Sequence, residues 1–593
     1  MKAKTLGSAV LFVLTLLLML TVLELNKNTM PGWALTLAAS AGSAVLIRRS
    51  RSAGIRGLIW LGWLLLFAAI LVLTWPPVKA VPAAEGKNGG KTGVISLADG
   101  DVRGVLTADG KVEIYAGIPY AKPPVGDLRW RAPEDPLPWD GILDADHFAP
   151  MSMQPVHLPI YDSLAQIIGF HDYRISLTDN YRPPVSEDSL YVNVWKPAGE
   201  HDALPVLVYV HGGSLQTGQP WYADYSGESL AREGIVAVNM GYRLGVFGFL
   251  AEEELLRESG TAGNYGLLDQ IKALEWVRDN IAAFGGDPSN VTLAGESAGA
   301  ASVSALSVSP LAAGLFRRVV LESSTLASVQ PPHSYRALGE ALESGRDLMD
   351  RYGVSSVEEL RALPADKLVG EADTQHHITP DGYVLTESPY ESLRRGIHNG
   401  EAIFHGYNLH ESGAFLLFGK TSREEFSGNV RGYFGDYADE VFALYPVRSD
   451  EEANTAWREI WGAVFFDYPH YCLNRLAVQN GIPVWEYRFS KENGRLGSWH
   501  SGEEVYLYGN IPEGSKLYDA RDRELSREMF TTLKNFVVSG DPNGGAGIPW
   551  EQNLSSADLM EFGDRTGMIK ESKRKLGLYG ILDKMQGETE PEE

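Results

Sequence analysis

Apolar positions along the chain fall into two regimes. In the first 75 residues they form long, nearly unbroken runs: "LGSAVLFVLTLLLMLTVL" from Leu6 to Leu23, "WALTLAASAGSAVLI" from Trp33 to Ile47, and "GLIWLGWLLLFAAILVLTW" from Gly57 to Trp75. A helix needs about 20 apolar residues to cross a bilayer. The first and third runs meet that length. The second is shorter and rich in Ala, Gly and Ser, which suits close helix packing in lipid. Beyond Trp75 the runs shrink to strand length. "LPVLVYV", Leu204 to Val210, is continuous, apolar and rich in valine, as in a strand buried on both faces. "GIVAVNM", "VTLAG" and "RRVVLES" follow the same pattern. "YGLLDQIKALEWVRDNIAAFGG" instead places Leu267, Ile271, Leu274, Val277 and Ile281 on one helical face, with Gly285 able to end the helix. Strands alternating with helices predict an α/β fold with a central, mostly parallel sheet flanked by helices, preceded by a bundle of about three transmembrane helices.

Charge sets the expected topology of the front end. The loop "RRSRSAGIR" carries Arg48, Arg49, Arg51 and Arg56 between the second and third runs, and Lys2 and Lys4 precede the first. Both groups are retained on the cytoplasmic side. All three runs then cross, and the rest of the chain lies outside. A cleaved signal peptide is the competing reading of Leu6–Leu23; that run is longer than an ordinary signal core and lacks a clear small-x-small site. The expected organisation is an anchor over 1–75 (spans near 6–23, 33–47 and 57–75), a Pro/Gly-rich linker over 76–92, a folded α/β domain over 93–585, and an acidic tail over 586–593. The expected location is the plasma membrane, with the α/β domain on its extracytoplasmic side.

Net charge is −24, and −31 once the +7 of residues 1–80 is set aside. So acidic a body argues against a nucleic-acid partner. Cys472 is the single cysteine, so no intramolecular disulfide and no Cys-based zinc site can form. A lone cysteine of this kind reads as a small buried apolar residue. His376 and His377 read as surface histidines, because adjacent side chains on a strand or helix point apart. Neither cofactor nor metal is expected.

One stretch carries chemistry. "GGDPSNVTLAGESAGAAS", Gly285 to Ser302, sets Ser297 in G-E-S-A-G between an apolar strand and a helix. This is the nucleophile-elbow pattern, in which a tight strand-to-helix turn exposes the serine hydroxyl. A serine needs a base, and the base an orienting acid; in this pattern the chain order is Ser, Asp/Glu, His. His500 lies in the Gly-rich stretch "ENGRLGSWHSGEEVYLYGN" after the strand-like "PVWEYRFS", and Glu411 in "EAIFHGYNLHESGAF" is again a strand followed by a loop. Spacing alone leaves Glu411 equally readable as a solvated loop carboxylate and His500 as a loop histidine. An oxyanion hole needs backbone N–H groups. Ala298, directly after the serine, offers one, and Gly212, Gly213 and Ser214 in "VLVYVHGGSLQTG" offer the others. Trp221, Tyr222 and Tyr225 follow that loop and read equally as pocket lining or as surface.

Together these stretches resemble the type-B carboxylesterase family of para-nitrobenzyl esterases, animal carboxylesterases and cholinesterases. "YAGIPYAKPPVGDLRW", "SEDSLYVNVWKP", "HGGSLQTG", the long run from Gly263 to Ser304 and "GLFRRVVLESS" carry the likeness, which extends from about Gly93 to about Trp550. The resemblance implies an α/β-hydrolase fold and a serine esterase acting through an acyl-enzyme. It assigns Ser297 as nucleophile, Glu411 as acid, His500 as base, and Gly213, Ser214 and Ala298 as oxyanion donors. The expected partners are a small-molecule ester and the membrane. Two rival readings remain: a non-catalytic, neuroligin-like binding ectodomain, and a hydrolase of carbamates or amides. The chain departs from the family at Ser152 and Ser189, where members often have a disulfide. It departs again at Ser324 and Ser412, where glycines are usual. A positive φ at Ser412 would be costly and would alter the loop at Glu411.

Overall fold

The computed structural model describes residues 2–78, 83–84, 90–156, 159–168, 184–329, 335–369, 377–417, 419–492, 497–544, 549–552 and 557–587. His376, the end of the acidic tail (588–593) and linker residues 79–82 and 85–89 lie outside them. The chain divides into two compact units. One comprises Met1–Val81 with Val156–Pro184, the other Pro82–Pro155 with Val185–Glu593.

In the first unit, the three apolar runs form helices α1 (Lys2–Leu25), α2 (Met30–Arg49) and α3 (Ala53–Leu73). Each is long and apolar enough to cross a membrane, the short second run included. They extend beyond the runs at most ends because polar and basic residues continue a helix once its apolar centre is formed. At its C-terminal end α3 stops at Leu73, two residues short of Trp75, with Thr74 as its cap. Of the small residues in the second run, Ser40 and Ser43 are buried, as is Gly32 just before it, while Ala34, Ala38, Ala41, Gly42 and Ala44 are exposed; the Trp63 indole of α3 donates to Ser40 Oγ at 3.1 Å. A fourth helix, α4 (Pro159–Ile168), also belongs to this unit, although its sequence lies within the body of the chain.

The second unit is built on a mixed sheet, 13-stranded among the described residues. Its central part is parallel and runs in the spatial order Val236–Met240, Leu204–Val210, Gly286–Glu296, Arg318–Glu322, Ala402–Asn408, Val484–Phe489 and Asp558–Phe562. Val206, Leu207, Val208, Tyr209 and Val210 are all fully buried, as a strand covered on both faces requires. The predicted helix is Tyr265–Asn280; all five residues of the predicted apolar face are buried, four of them on this helix and Ile281 at the start of the turn that follows. Its chain continues through one 3₁₀ turn to Gly285, which ends it at φ 80°. Asp269 on this helix takes Arg243 Nε and Nη2 at 2.8 and 2.7 Å, fixing the loop after Val236–Met240. Removing one partner of so buried a pair costs about 3–5 kcal/mol. The register brings the carboxyl ends of Leu204–Val210, Gly286–Glu296, Arg318–Glu322, Ala402–Asn408 and Val484–Phe489 to one edge of the sheet, where open α/β sheets form their sites.

Candidate active site

Ser297 follows directly on the central strand Gly286–Glu296 and caps the helix Ala298–Leu306. Its backbone lies at φ 53°, ψ −123°. A non-glycine residue there stores about 1–3 kcal/mol, held in place by its surroundings. Its N–H donates to Glu322 O at 2.8 Å. The flanking glycines have a steric reason. A Cβ on Gly295 would lie 2.6 Å from Gly299 C, and one on Gly299 would lie 2.0 Å from Val210 O. The turn therefore closes only without side chains at these points.

The structure brings Ser297, His500 and Glu411 together. His500 Nε2 is 2.8 Å from Ser297 Oγ, and its Nδ1 is 2.6 Å from Glu411 Oε2. Neither Glu411 nor His500 is a solvated loop group; both are buried. Glu411 follows the strand Ala402–Asn408 by a tight turn, and its other oxygen, Oε1, accepts the Asn408 N–H at 2.8 Å. Burial pushes the Glu411 carboxyl up to about 8, and the Asn408 N–H and Ser323 pull it down. With Nδ1 turned to Oε2, Nε2 is the ring nitrogen that faces Ser297 Oγ. Nε2 is then free to accept the proton of the Ser297 hydroxyl. Ser412 does not distort this loop: it opens the short helix Ser412–Phe415, a conformation any residue adopts.

The loop that carries Gly212, Gly213 and Ser214 follows the strand Leu204–Val210, the neighbour of the central strand. Gly213 O accepts the N–H groups of Gln216 and Thr217, both at 2.9 Å, and Ser214 sits at φ 57°. Gln154 clamps the far end of the loop, donating to Gly218 O at 2.8 Å and accepting from Gly218 N at 3.0 Å. Ser152 Oγ lies 2.9 Å from Ser189 Oγ and 2.6 Å from Tyr242 O, so a buried polar contact stands where family members often have a disulfide. Tyr242 in turn donates to His211 O at 2.7 Å and stacks on the His211 ring. The loop is thus held by hydrogen bonds before any substrate arrives, as a preorganised anion site requires.

Other residues at the site carry little sequence signal. Glu296, the variable position of G-E-S-A-G, places Oε1 3.4 Å from His500 Nε2 and accepts Ser501 Oγ at 2.6 Å. Glu503 accepts Ser323 Oγ at 2.9 Å and also takes Asn408 Nδ2. Burial pushes both carboxyls up to about 7. Adjacency to the serine and to "WHSGEE" is the only hint the sequence offers of them. The rings of Phe415 and Phe466 each lie 5.0 Å from that of His500. Tyr225 is buried and stacks on Tyr209, whereas Trp221 and Tyr222 line a cavity of about 680 Å³ together with Phe148 and Trp195. Ser297, Glu411 and His500 do not line that cavity. Cys472 is buried as expected. His377 departs from the surface expectation: it is half-buried, and desolvation pushes its imidazole down to about 4. Among the described residues no cluster of His, Cys, Asp or Glu could hold a metal ion.

The model of the carboxylesterase family matches residues 91–576. The chain is 33% identical over 511 residues to the fumonisin B1 esterase of Sphingopyxis macrogoltabida, covering 82% of this chain and 89% of that protein. It is 31% identical over 477 residues to the para-nitrobenzyl esterase of Bacillus subtilis, covering 77% and 92%. Among solved structures, the Geobacillus stearothermophilus carboxylesterase EST55 superposes with a TM-score of 0.69 at 30% identity, over 82% of this chain and 99% of that one. With an α/β-hydrolase sheet, a strained serine at its central strand and these relatives, the chain belongs to the carboxylesterase family and is a carboxylic ester hydrolase.

Proposed function

We propose that Ser297, His500 and Glu411 perform the ester hydrolysis, and that the enzyme works from a membrane anchor. Ser297 Oγ attacks the ester carbonyl while His500 Nε2 takes its proton. The carbonyl oxygen becomes an oxyanion held by backbone N–H groups of the Gly212–Ser214 loop and of Ala298. His500 then delivers the proton to the leaving alcohol, and the ester bond breaks to give the acyl-enzyme. Water, deprotonated by His500, attacks the acyl group and regenerates Ser297. Glu411 holds the imidazole and balances its charge. The observation that carries this reading is the 2.8 Å contact between His500 Nε2 and Ser297 Oγ, backed by the 2.6 Å contact to Glu411.

The Phe415 and Phe466 rings beside His500 favour an ester with an apolar or aromatic group near the scissile bond, which makes para-nitrobenzyl and para-nitrophenyl esters the first substrates to test. Ser297→Ala is expected to abolish their turnover and labelling by a fluorophosphonate probe without loss of folding. Labelling that persists in the variant would place the nucleophile elsewhere.

The anchor consists of α1, α2 and α3, with the arginine loop in the cytoplasm and the hydrolase on the extracytoplasmic side of the plasma membrane. The three apolar helices and the Arg48–Arg56 loop support this. Protease added to intact cells is expected to digest a C-terminal tag. Protection of the tag until lysis would refute the sidedness.

A further inference from the structure

Helix α4 has no counterpart in the sequence expectations: "PIYDSLAQII" lies within the body of the chain, yet it packs in the unit that contains α1, α2 and α3. The buried Ser163 hydroxyl donates to the carbonyl oxygen of Leu25, the last residue of α1, at 2.7 Å. That oxygen is one of the C-terminal acceptors a helix leaves without an intrahelical partner. The end of α1 held in this way is polar. Lys27 pairs with Glu24 at 2.7 Å, and Asn28 donates to Leu71 O at 2.8 Å and to Thr74 Oγ1 at 2.9 Å. Earlier turns of α1 instead expose Leu11, Leu14, Leu17 and Leu18. Ser163 therefore fixes α4 at the level where α1 passes from apolar to polar.

The spacing within α4 shows what faces outward there. At roughly 100° per residue, Ser163, Ile167, Ile160 and Leu164 fall in that order within an arc of about 100°. The arc begins at the serine bound to α1 and continues as an unbroken apolar stripe. Leu164 and Ile167 on that stripe are 38% and 52% exposed. No Lys or Arg occurs in the helix.

We propose that α4 is a membrane-interface helix, with its Ile160, Leu164 and Ile167 stripe seated among the acyl chains just below the headgroups of the leaflet that receives the C-terminal end of α1. The inference rests on the reading that α1–α3 span a bilayer. Contact is through apolar burial, so a zwitterionic lipid surface suffices and salt does not release the helix. The hydrolase sequence thus returns one of its own segments to the membrane in addition to its N-terminal tether.

The test uses the full chain in phosphatidylcholine liposomes. Ile167→Cys is labelled with an environment-sensitive fluorophore, Leu14→Cys serves as the span reporter, and the parent protein, whose Cys472 is buried, measures background labelling. Turnover of a para-nitrophenyl ester confirms folding of each variant. Nitroxides are carried on the lipid either near the headgroup or near the chain end. The expected result is loss of emission at residue 167, greater with the shallow nitroxide than with the deep one and unchanged in high salt. Loss of emission at Leu14 shows that the span is in lipid. An unquenched label at 167 beside a quenched label at 14 overturns the interface helix and leaves the anchor standing. Labels unquenched at both positions overturn the anchor itself.

Discussion

Glu411→Gln tests the relay because the structure gives each carboxylate oxygen a separate task. Oε1 accepts the Asn408 N–H at 2.8 Å and Oε2 faces His500 Nδ1 at 2.6 Å. An amide has one oxygen and one NH₂, so it cannot serve both. If its oxygen stays on Asn408, the NH₂ meets Nδ1. The imidazole proton then moves to Nε2, which donates to Ser297 and can no longer accept. If the amide turns over, Nδ1 keeps its proton, but two donors face each other at Asn408. That loss costs about 1–3 kcal/mol. In the transition state His500 becomes charged, and its ion pair with the carboxylate is replaced by a hydrogen bond to an uncharged acceptor, a further loss of about 2–3 kcal/mol. Together these amount to roughly 3–6 kcal/mol, or about 10²–10⁴ in rate. The loss should fall on kcat, since Glu411 touches no part of the ester. The assay is steady-state hydrolysis of para-nitrophenyl acetate alongside thermal melting. Melting should change little, because a neutral amide avoids burying a charge. A loss of less than about tenfold at unchanged melting would refute the argument.

Three further outcomes follow from the geometry. Gly299→Ala would drive a Cβ to 2.0 Å from Val210 O and should cost at least about 3 kcal/mol or prevent folding, whereas Gly428→Ala, in open helical space, should stabilise by about 0.5–1 kcal/mol; equal melting of the two variants would contradict the elbow sterics. Ser152→Cys with Ser189→Cys joins positions 37 residues apart whose Oγ atoms lie 2.9 Å apart, and the disulfide should raise stability by about 2–4 kcal/mol in a reductant-sensitive way; a thiol titration showing free cysteines would refute it. Glu503 is held protonated by burial up to about 7, so its contribution to stability is full below the unfolded value near 4.5 and is lost as pH rises through 7; Glu503→Gln should flatten the stability–pH curve between those limits by up to about 3 kcal/mol, and an unchanged slope in chemical denaturation would exclude this.

Local interactions made much of the protein legible beforehand. The apolar runs specify α1, α2 and α3 as helices long and apolar enough to cross a membrane, because that property depends only on the number of consecutive apolar residues. The unbroken valine-rich run Leu204–Val210 specifies a doubly covered strand, because each residue's burial is set by its own side chain. Gly-Glu-Ser-Ala-Gly between a strand and a helix specifies the elbow, because the glycines are needed within the five residues themselves. Glu411 and His500 were nameable as candidates from strand-end position and from family resemblance.

What the sequence could not decide is what long-range packing decides. Ser297 and His500 are 203 residues apart, and only the parallel register of the sheet brings Nε2 within 2.8 Å of Oγ. The same packing converts Glu411 from a possible solvated carboxylate into a buried one, and sets Ser412 in a helix rather than at a positive φ. It also gathers Glu296 and Glu503 beneath the site, although neither belongs to a motif that requires a carboxylate. Helix α4 is the clearest case. Its ten residues read as part of the body, and nothing local to them encodes the Leu25 carbonyl 138 positions earlier. Periodicity reports which face of an element is apolar; which surface covers that face depends on where the rest of the chain is folded.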